Sequence, residues 1–417
     1  MIAKYPPMGW NSWDSYGAAV TEEITLKNAG YMKENLKAFG WEYVVVDIQW
    51  YQPTAVNHAY EPFSTLCMDE YGRLLPAENR FPSAKNGAGF KPLADKIHAM
   101  GLKFGIHIMR GLPRMAAHRH LPIEGSPYFC HQAANPNSIC AWNPDMYGLK
   151  CEEEAAKAYY ESIFRLYAGW GVDYIKCDDI AREYPHCKRE IELISEAARG
   201  CGRDIVLSLS PGPAPLEYAE HLKKYANLWR ITDDFWDSWP LLKGMFERAE
   251  KWCVHASCGH WPDADMLPVG ALRQCDDEND WTRFTESEQR TMMALWCMMR
   301  SPLMIGGEMT KFDEFTLSLL TNARLLEIEK ESFSAHPVLT TDNESIWIAP
   351  RKDGKGVYCA IFNLSDEERE IAYETEAAYD GHINAVDIWT GGKTKFVGCI
   401  SAKLKAHDAA VYLLISE

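Results

Sequence analysis

The chain holds 13 cysteines in 417 residues but no C-x-x-C pair. An odd count at scattered spacing argues against a disulfide framework or a zinc site, and reduced thiols in a cytoplasm fit better. Cys253, His255, Cys258 and His260 form a weak metal alternative, so no metal is expected. An uninterrupted apolar run of about 18 residues is also missing, which excludes a membrane-spanning helix. The opening MIAKYPPMGWNSWDSYG has no apolar core followed by a cleavage site, so a signal peptide is not expected. Positive charge is in deficit: 43 Lys and Arg against 59 Asp and Glu leave a net charge of −16. Nucleic acid and anionic membrane are therefore not expected as partners, since either needs a basic patch. No repeat or low-complexity linker appears.

What remains is the balance of a globular protein, 47% hydrophobic and 24% charged, long enough for two domains. Short β-rich runs alternate with helical ones: MGWNSW, YVVVDI, KFGIHI, VDYIKCD, DIVLSLS, LWRITDD, a segment near HASCGHW, and PLMIGG. Between them, CEEEAAKAYYESIFRLYA at 151–168 places Ala155, Tyr159, Ile163 and Leu166 at helical spacing, with Glu at its start. Similar stretches lie near 22–39, 188–199, 215–226, 240–253 and 287–300. Eight strands separated by helices predict a (β/α)8 TIM barrel over residues 1–320. After that point SIWIAPR, GVYCAIFNL, EREIAYE, HINAVDIWTG and AAVYLLIS predict an antiparallel β domain over 321–417.

Barrel chemistry sits where strands meet the following loops. Side chains alternate along a strand, so residues two apart point the same way. In YIKCDD, Lys176 and Asp178 share a direction and Asp179 takes the other; in WRITDD, Arg230 and Asp234 are paired in the same sense. Asp47 and Gln49 share a side at the second strand, as do Ser208 and Ser210 at the fifth. Two carboxylates across a pocket, each near a cation, suggest glycoside hydrolysis, in which one attacks ionised and the other donates a proton. Trp10, Trp13, Trp50, Trp236, Trp239 and Trp261 lie in the same motifs and offer aromatic faces to a sugar ring. The blander alternatives are structural ion pairs at 176–178 and 230–234, core tryptophans, and a hydrogen-bonded pocket or core histidine at His107.

The ordered motifs MGWNSWDSYG, YVVVDIQWY, GLKFGIHI, YIKCDD, WRITDDFWDSW and WPDADML resemble those of glycoside hydrolase family 27, the α-galactosidases and α-N-acetylgalactosaminidases, over nearly the whole chain. The resemblance implies a C-terminal β-sandwich, a retaining double displacement, no organic cofactor and no metal. By motif position Asp178 matches the nucleophile and Asp234 the acid/base. Lys176 and Arg230 match sugar-hydroxyl contacts, Trp13 a stacking tryptophan, Asp47 a hydroxyl-binding carboxylate and Asp265 a pocket aspartate. Trp50, His107 and Ser210 complete the expected substrate-binding set.

The chain departs from the family at four positions. Ile48 replaces the second of two adjacent aspartates, and His107 stands where a tyrosine is usual. Ser210 lies near the expected sugar 2-position, and Ile180 replaces a disulfide-forming cysteine. The expected activity is exo-hydrolysis of terminal α-galactosides through a glycosyl-aspartate. The alternatives are an α-N-acetylgalactosaminide, an isomalto-type α-glucoside, a β-L-arabinopyranoside, or an inactive sugar-binding protein. A small-molecule or oligosaccharide substrate is the expected partner, and a homo-oligomer is left open.

Overall fold

A computed structural model describes residues 1–61, 63–374 and 382–415. Eight parallel strands form its first unit: β1 (Met8–Asn11), β2 (Tyr43–Val46), β3 (Lys103–Met109), β4 (Tyr174–Asp178), β5 (Val206–Leu209), β6 (Leu228–Arg230), β7 (Trp261–Asp263) and β8 (Leu303–Ile305). Their order is β7-β6-β5-β4-β3-β2-β1-β8. Beyond β7, Leu267 bridges Ile305 in parallel, and its N–H donates to the Met304 carbonyl at 2.7 Å, joining the two ends of the row. The sheet is therefore a closed TIM barrel. Its strands are buried along their length, as expected where helices cover the outer face.

The helices form where the apolar spacing places them. Glu154–Trp170 buries Tyr159, Tyr160, Ile163, Phe164 and Tyr167 and ends at Gly171, whose left-handed φ of 85° suits the residue after a helix. Glu286–Met299 starts from a capping box between Thr285 and Glu288. One strand is displaced from its expected place. Residues 257–260 close a tight turn through reciprocal backbone hydrogen bonds of Ser257 and His260, so β7 begins only at Trp261. Two barrel connections are long. Residues 47–90 separate β2 from its helix Lys91–Ala99, and residues 110–153 between β3 and β4 carry a small three-stranded sheet.

Helices Glu314–Leu320 and Ala323–Glu331 follow β8, and the second is anchored where Arg300 Nε donates to the Glu329 carbonyl. The division expected after residue 320 falls in the turn between these helices. Antiparallel strands begin with β9 (His336–Thr340) and β10 (Glu344–Pro350). They continue with β11 (Gly356–Asn363), β12 (Arg369–Tyr373), β13 (Ile383–Asp387), β14 (Lys393–Phe396), β15 (Ile400–Leu404) and β16 (Ala409–Ile415). Six of them form a sheet ordered β9-β10-β11-β16-β13-β14, and β12 pairs with β15 in a second sheet. Alternation along β11 serves two cores. Cys359 and Ile361 enter the sandwich interior with Ile371 and Ile400, while Tyr358, Ala360 and Phe362 join the core continuous with the barrel. Among the described residues, no helix is long and apolar enough to cross a membrane.

Candidate active site

The strand ends and the loops beyond them enclose a cleft of about 400 Å³. Asp47, Lys176 and Asp178 make its buried polar floor, and Trp13, His58, Tyr60, Trp142 and Trp236 make its aromatic wall. Asp234 lines the same cleft but lies nearer solvent, its side chain 54% exposed against 13% for Asp178. Strand parity sorts the adjacent aspartates. Asp178 faces the cleft, whereas Asp179 takes a left-handed backbone (φ 61°) and turns its carboxylate to Arg110 Nη2 at 2.9 Å.

The partners are not those that spacing alone suggests. Lys176 Nζ lies 3.0 Å from Asp47 Oδ2, across the barrel floor, so the ion pair runs to β2 and not along β4 to Asp178. Asp178 Oδ2 instead meets His107 Nε2 at 3.0 Å, from the neighbouring strand β3, and its Oδ1 accepts the Asp179 N–H at 2.9 Å. Burial alone would raise the Asp178 pKa. The His107 hydrogen bond and field, the Lys176 charge and the Asp179 amide outweigh it and hold the carboxyl well below its usual range. His107 is fully buried and does not line the cleft; it supports Asp178 from behind.

Asp47 is similarly committed. Its Oδ2 accepts Asn11 Nδ2 at 2.7 Å, its Oδ1 accepts the Ile48 N–H at 2.8 Å, and its own N–H donates to Ser12 Oγ. Burial opposes ionisation there too, but Lys176 and His107 draw the pKa below its usual value. Ile48 is buried in the core beside it and brings no polar side-chain atom.

Arg230 is buried and forks between two carboxylates, with Nη2 3.2 Å from Asp234 Oδ1 and Nη1 2.7 Å from Asp265 Oδ1. Asp265 Oδ2 accepts the Phe235 N–H at 2.7 Å and so fixes the segment just after Asp234. Burial pushes the Asp265 carboxyl above its usual range despite Arg230, and the charges of Asp234 and Asp263 add to the effect. Below the cleft, Asn11, Ser208, Ser210, Arg230, Asp263 and Asp265 surround a cavity of about 20 Å³, the size of one water. Ser210 belongs to this cavity, and its Oγ has no partner among the described residues.

Trp50, expected as a sugar platform, is a core residue. It is fully buried against Tyr51, Phe90 and Trp170, and its indole N–H donates to the His107 carbonyl at 2.8 Å. A strand-end tryptophan pointing outward from the barrel meets the helix layer, which is what Trp50 does. Trp10 and Trp261 are likewise fully buried, and Trp239 stacks on His407 of the C-terminal unit. Trp13 and Trp236 alone of the six face the cleft. Cys253, His255, Cys258 and His260 do not gather into a ligand cluster among the described residues.

Sequence reasoning did not single out Asp14, His58, Tyr60 or Trp142. Asp14 is buried with Oδ2 unpartnered among the described residues, and burial, then the charge of Asp265, raise its pKa well above the ordinary value. The three others stand on long loops, where no periodicity assigns a direction; their only signal was position after a barrel strand.

Known proteins share this architecture. A family model described as α-galactosidase A matches residues 143–331, and a model of the α-galactosidase C-terminal β-sandwich domain matches residues 341–414. An α-galactosidase of Coffea arabica is 30% identical, with 99% of this chain and 94% of that protein covered. Among solved structures, a family 27 β-L-arabinopyranosidase from Geobacillus stearothermophilus is 50% identical, with a TM-score of 0.96 over 99% of this chain and 97% of that one. A variant of that enzyme in complex with arabinose is 49% identical at a TM-score of 0.96, covering 100% of this chain and 98% of the other.

Proposed function

The chain belongs to glycoside hydrolase family 27, the α-galactosidase family, and on that premise we propose that it removes terminal β-L-arabinopyranose, with α-D-galactose accepted in the same pocket. The enzyme is a retaining glycosidase. What is open within the family is the glycone, and one observation carries the choice. Where α-galactosidases bring two carboxylates from the second strand, this site brings one, Asp47, with Ile48 buried beside it. β-L-Arabinopyranose is α-D-galactopyranose without its C6 hydroxymethyl group. A site that has lost one acceptor no longer favours the sugar carrying the extra hydroxyl.

The geometry supports the following roles. Asp178, held ionised by His107 and Lys176, attacks the anomeric carbon and forms the glycosyl-enzyme ester. Asp234, at the solvent side of the cleft, protonates the departing glycosidic oxygen, then takes a proton from the water that hydrolyses the ester. Lys176 and Arg230 offer N–H donors to ring hydroxyls, Asp47 accepts from one, and Trp13 presents its face. Ser210 and Asp265 shape the polar base of the pocket. The 13 cysteines are all free, which supports a reducing, cytoplasmic setting.

The test is kcat/KM on the p-nitrophenyl glycosides of β-L-arabinopyranose, α-galactose, α-N-acetylgalactosamine and α-glucose. The arabinopyranoside is expected to lead and the galactoside to follow; a galactoside tenfold better than the arabinopyranoside overturns the assignment. Ile48→Asp is expected to shift the ratio toward galactose by about 10- to 100-fold, the worth of one hydrogen bond to a charged group. On the preferred glycone, Asp234→Ala is expected to spare activated aryl glycosides relative to sugar-linked ones, and equal losses would remove Asp234 from the acid role.

A further inference from the structure

Asp178 lies on the floor of the cleft and Asp234 at its solvent side. Above them rises an aromatic wall assembled from two long loops. Tyr60, from the connection after β2, stacks on Trp13 with the planes 10° apart and the centroids 5.8 Å apart. Trp142, from the excursion after β3, lies 5.3 Å from Tyr60 and is tilted by 45°. The three rings form a continuous strip along the cleft that Asp47 and Asp178 also line. Both Tyr60 and Trp142 are partly exposed to the cleft. Among the described residues, the Tyr60 hydroxyl and the Trp142 indole N–H have no protein partner.

The loop bearing Tyr60 is held at several points. The Ala18 N–H donates to the Asn57 carbonyl at 2.9 Å. His58 Nε2 lies 2.8 Å from the Trp13 carbonyl, and Nδ1 lies 2.7 Å from Asp276 Oδ2, on the loop after β7. A carbonyl only accepts, so Nε2 carries the hydrogen. Tyr60 is thus presented by a pinned segment, and its ring position is preorganised. Burial, with the charges of Asp178, Asp47 and Asp234, raises the pKa of its phenol, which keeps the hydroxyl neutral and available to donate.

We propose that Tyr60 and Trp142 form the leaving-group subsite, taking an aglycone with a flat, apolar face, either an aromatic ring or the less polar face of a pyranose. Aromatic rings offset or tilted against such a face gain both burial and ring-edge attraction, while the free O–H and N–H reach a polar edge. The proposal rests on the cleft being the glycosidase site, and not on which glycone it holds.

The experiment compares two measurements on the wild type and on Tyr60→Ala, Tyr60→Phe and Trp142→Ala, using whichever p-nitrophenyl glycoside turns over best. One is KM and kcat for that glycoside; the other is inhibition by its free sugar, which fills the glycone position only. The expected result for Trp142→Ala and Tyr60→Ala is a three- to tenfold rise in KM, about the worth of one aromatic contact, with sugar inhibition unchanged. Tyr60→Phe keeps the ring and is expected to recover most of that loss. Unchanged KM in both alanine variants overturns the proposal. So does equal weakening of KM and of sugar inhibition, which would place these residues on the glycone. Circular dichroism and thermal melting identify a variant that has lost its fold; Tyr60→Leu and Trp142→Leu then carry the same comparison. Failure of the arabinopyranose assignment alters which glycoside is used and leaves this comparison intact.

Discussion

At the scale of residues, the site works by dividing its cations. Lys176 neutralises Asp47, and Arg230 is shared by Asp234 and Asp265, so Asp178 depends on His107 for its side-chain donor, beside the Asp179 backbone N–H. A depressed carboxylate pKa contributes stability that is present above the unfolded-state pKa and lost as pH falls through the folded one. The same depression keeps Asp178, the proposed nucleophile, ionised at the acid end of the working range. Replacing His107 by Phe removes the hydrogen bond while burial remains, so the Asp178 pKa rises. The acidic limb of kcat/KM is then expected to move to higher pH, and the stability contributed by the ionised carboxylate to shrink. An unmoved acidic limb, measured on the preferred aryl glycoside, would show that His107 does not set this ionisation.

At the scale of elements, the barrel holds its catalytic face by close approach between neighbouring strands and the loops that follow them. Gly306, just after β8, faces Asp14 from the loop after β1. A Cβ built at Gly306 would lie 2.0 Å from Asp14 Oδ2 and 2.6 Å from its Cγ. No rotation of so short and buried a side chain absorbs that overlap. Gly306→Ala is therefore expected to cost about 1–3 kcal/mol, the usual range for overpacking. The denaturant midpoint reads this directly, and a midpoint equal to the wild type would mean that Asp14 moves freely. Elements also explain which sites were legible. Lys176 and Asp178 stand on a regular strand, where parity assigns their direction; Tyr60 and Trp142 stand on long connections, where it assigns none.

At the scale of the whole molecule, the two units share one core. Phe362 of β11 meets Phe246 of helix Trp239–Trp252 at 4.9 Å, Trp239 stacks on His407, and Arg290 grips Asp408 through Nε at 3.0 Å and Nη2 at 3.1 Å. Such an interface resembles a domain interior more than a linker contact. Phe362→Ala is expected to cost about 3–5 kcal/mol, the usual loss for a buried phenylalanine. Barrel and sandwich are expected to melt in one transition in calorimetry, in the variant as in the wild type. Two separated transitions would show that the units fold independently.

The sequence by itself determined the alternation of eight strands with helices, the antiparallel second unit, and the shared direction of Lys176 and Asp178, opposite to Asp179. These depend on local period and on strand parity, which need no knowledge of distant residues. Tertiary structure alone decided the pairings. Lys176 meets Asp47 across 129 positions and His107 meets Asp178 across 71, while Trp50 turns into the helix layer and Tyr60 folds back onto Trp13. Period and parity state which way a side chain points; only closure of the barrel sets which side chains then stand within reach of one another. The chemistry depends on that second fact, because an ionic or hydrogen-bonded contact acts only over a few ångströms.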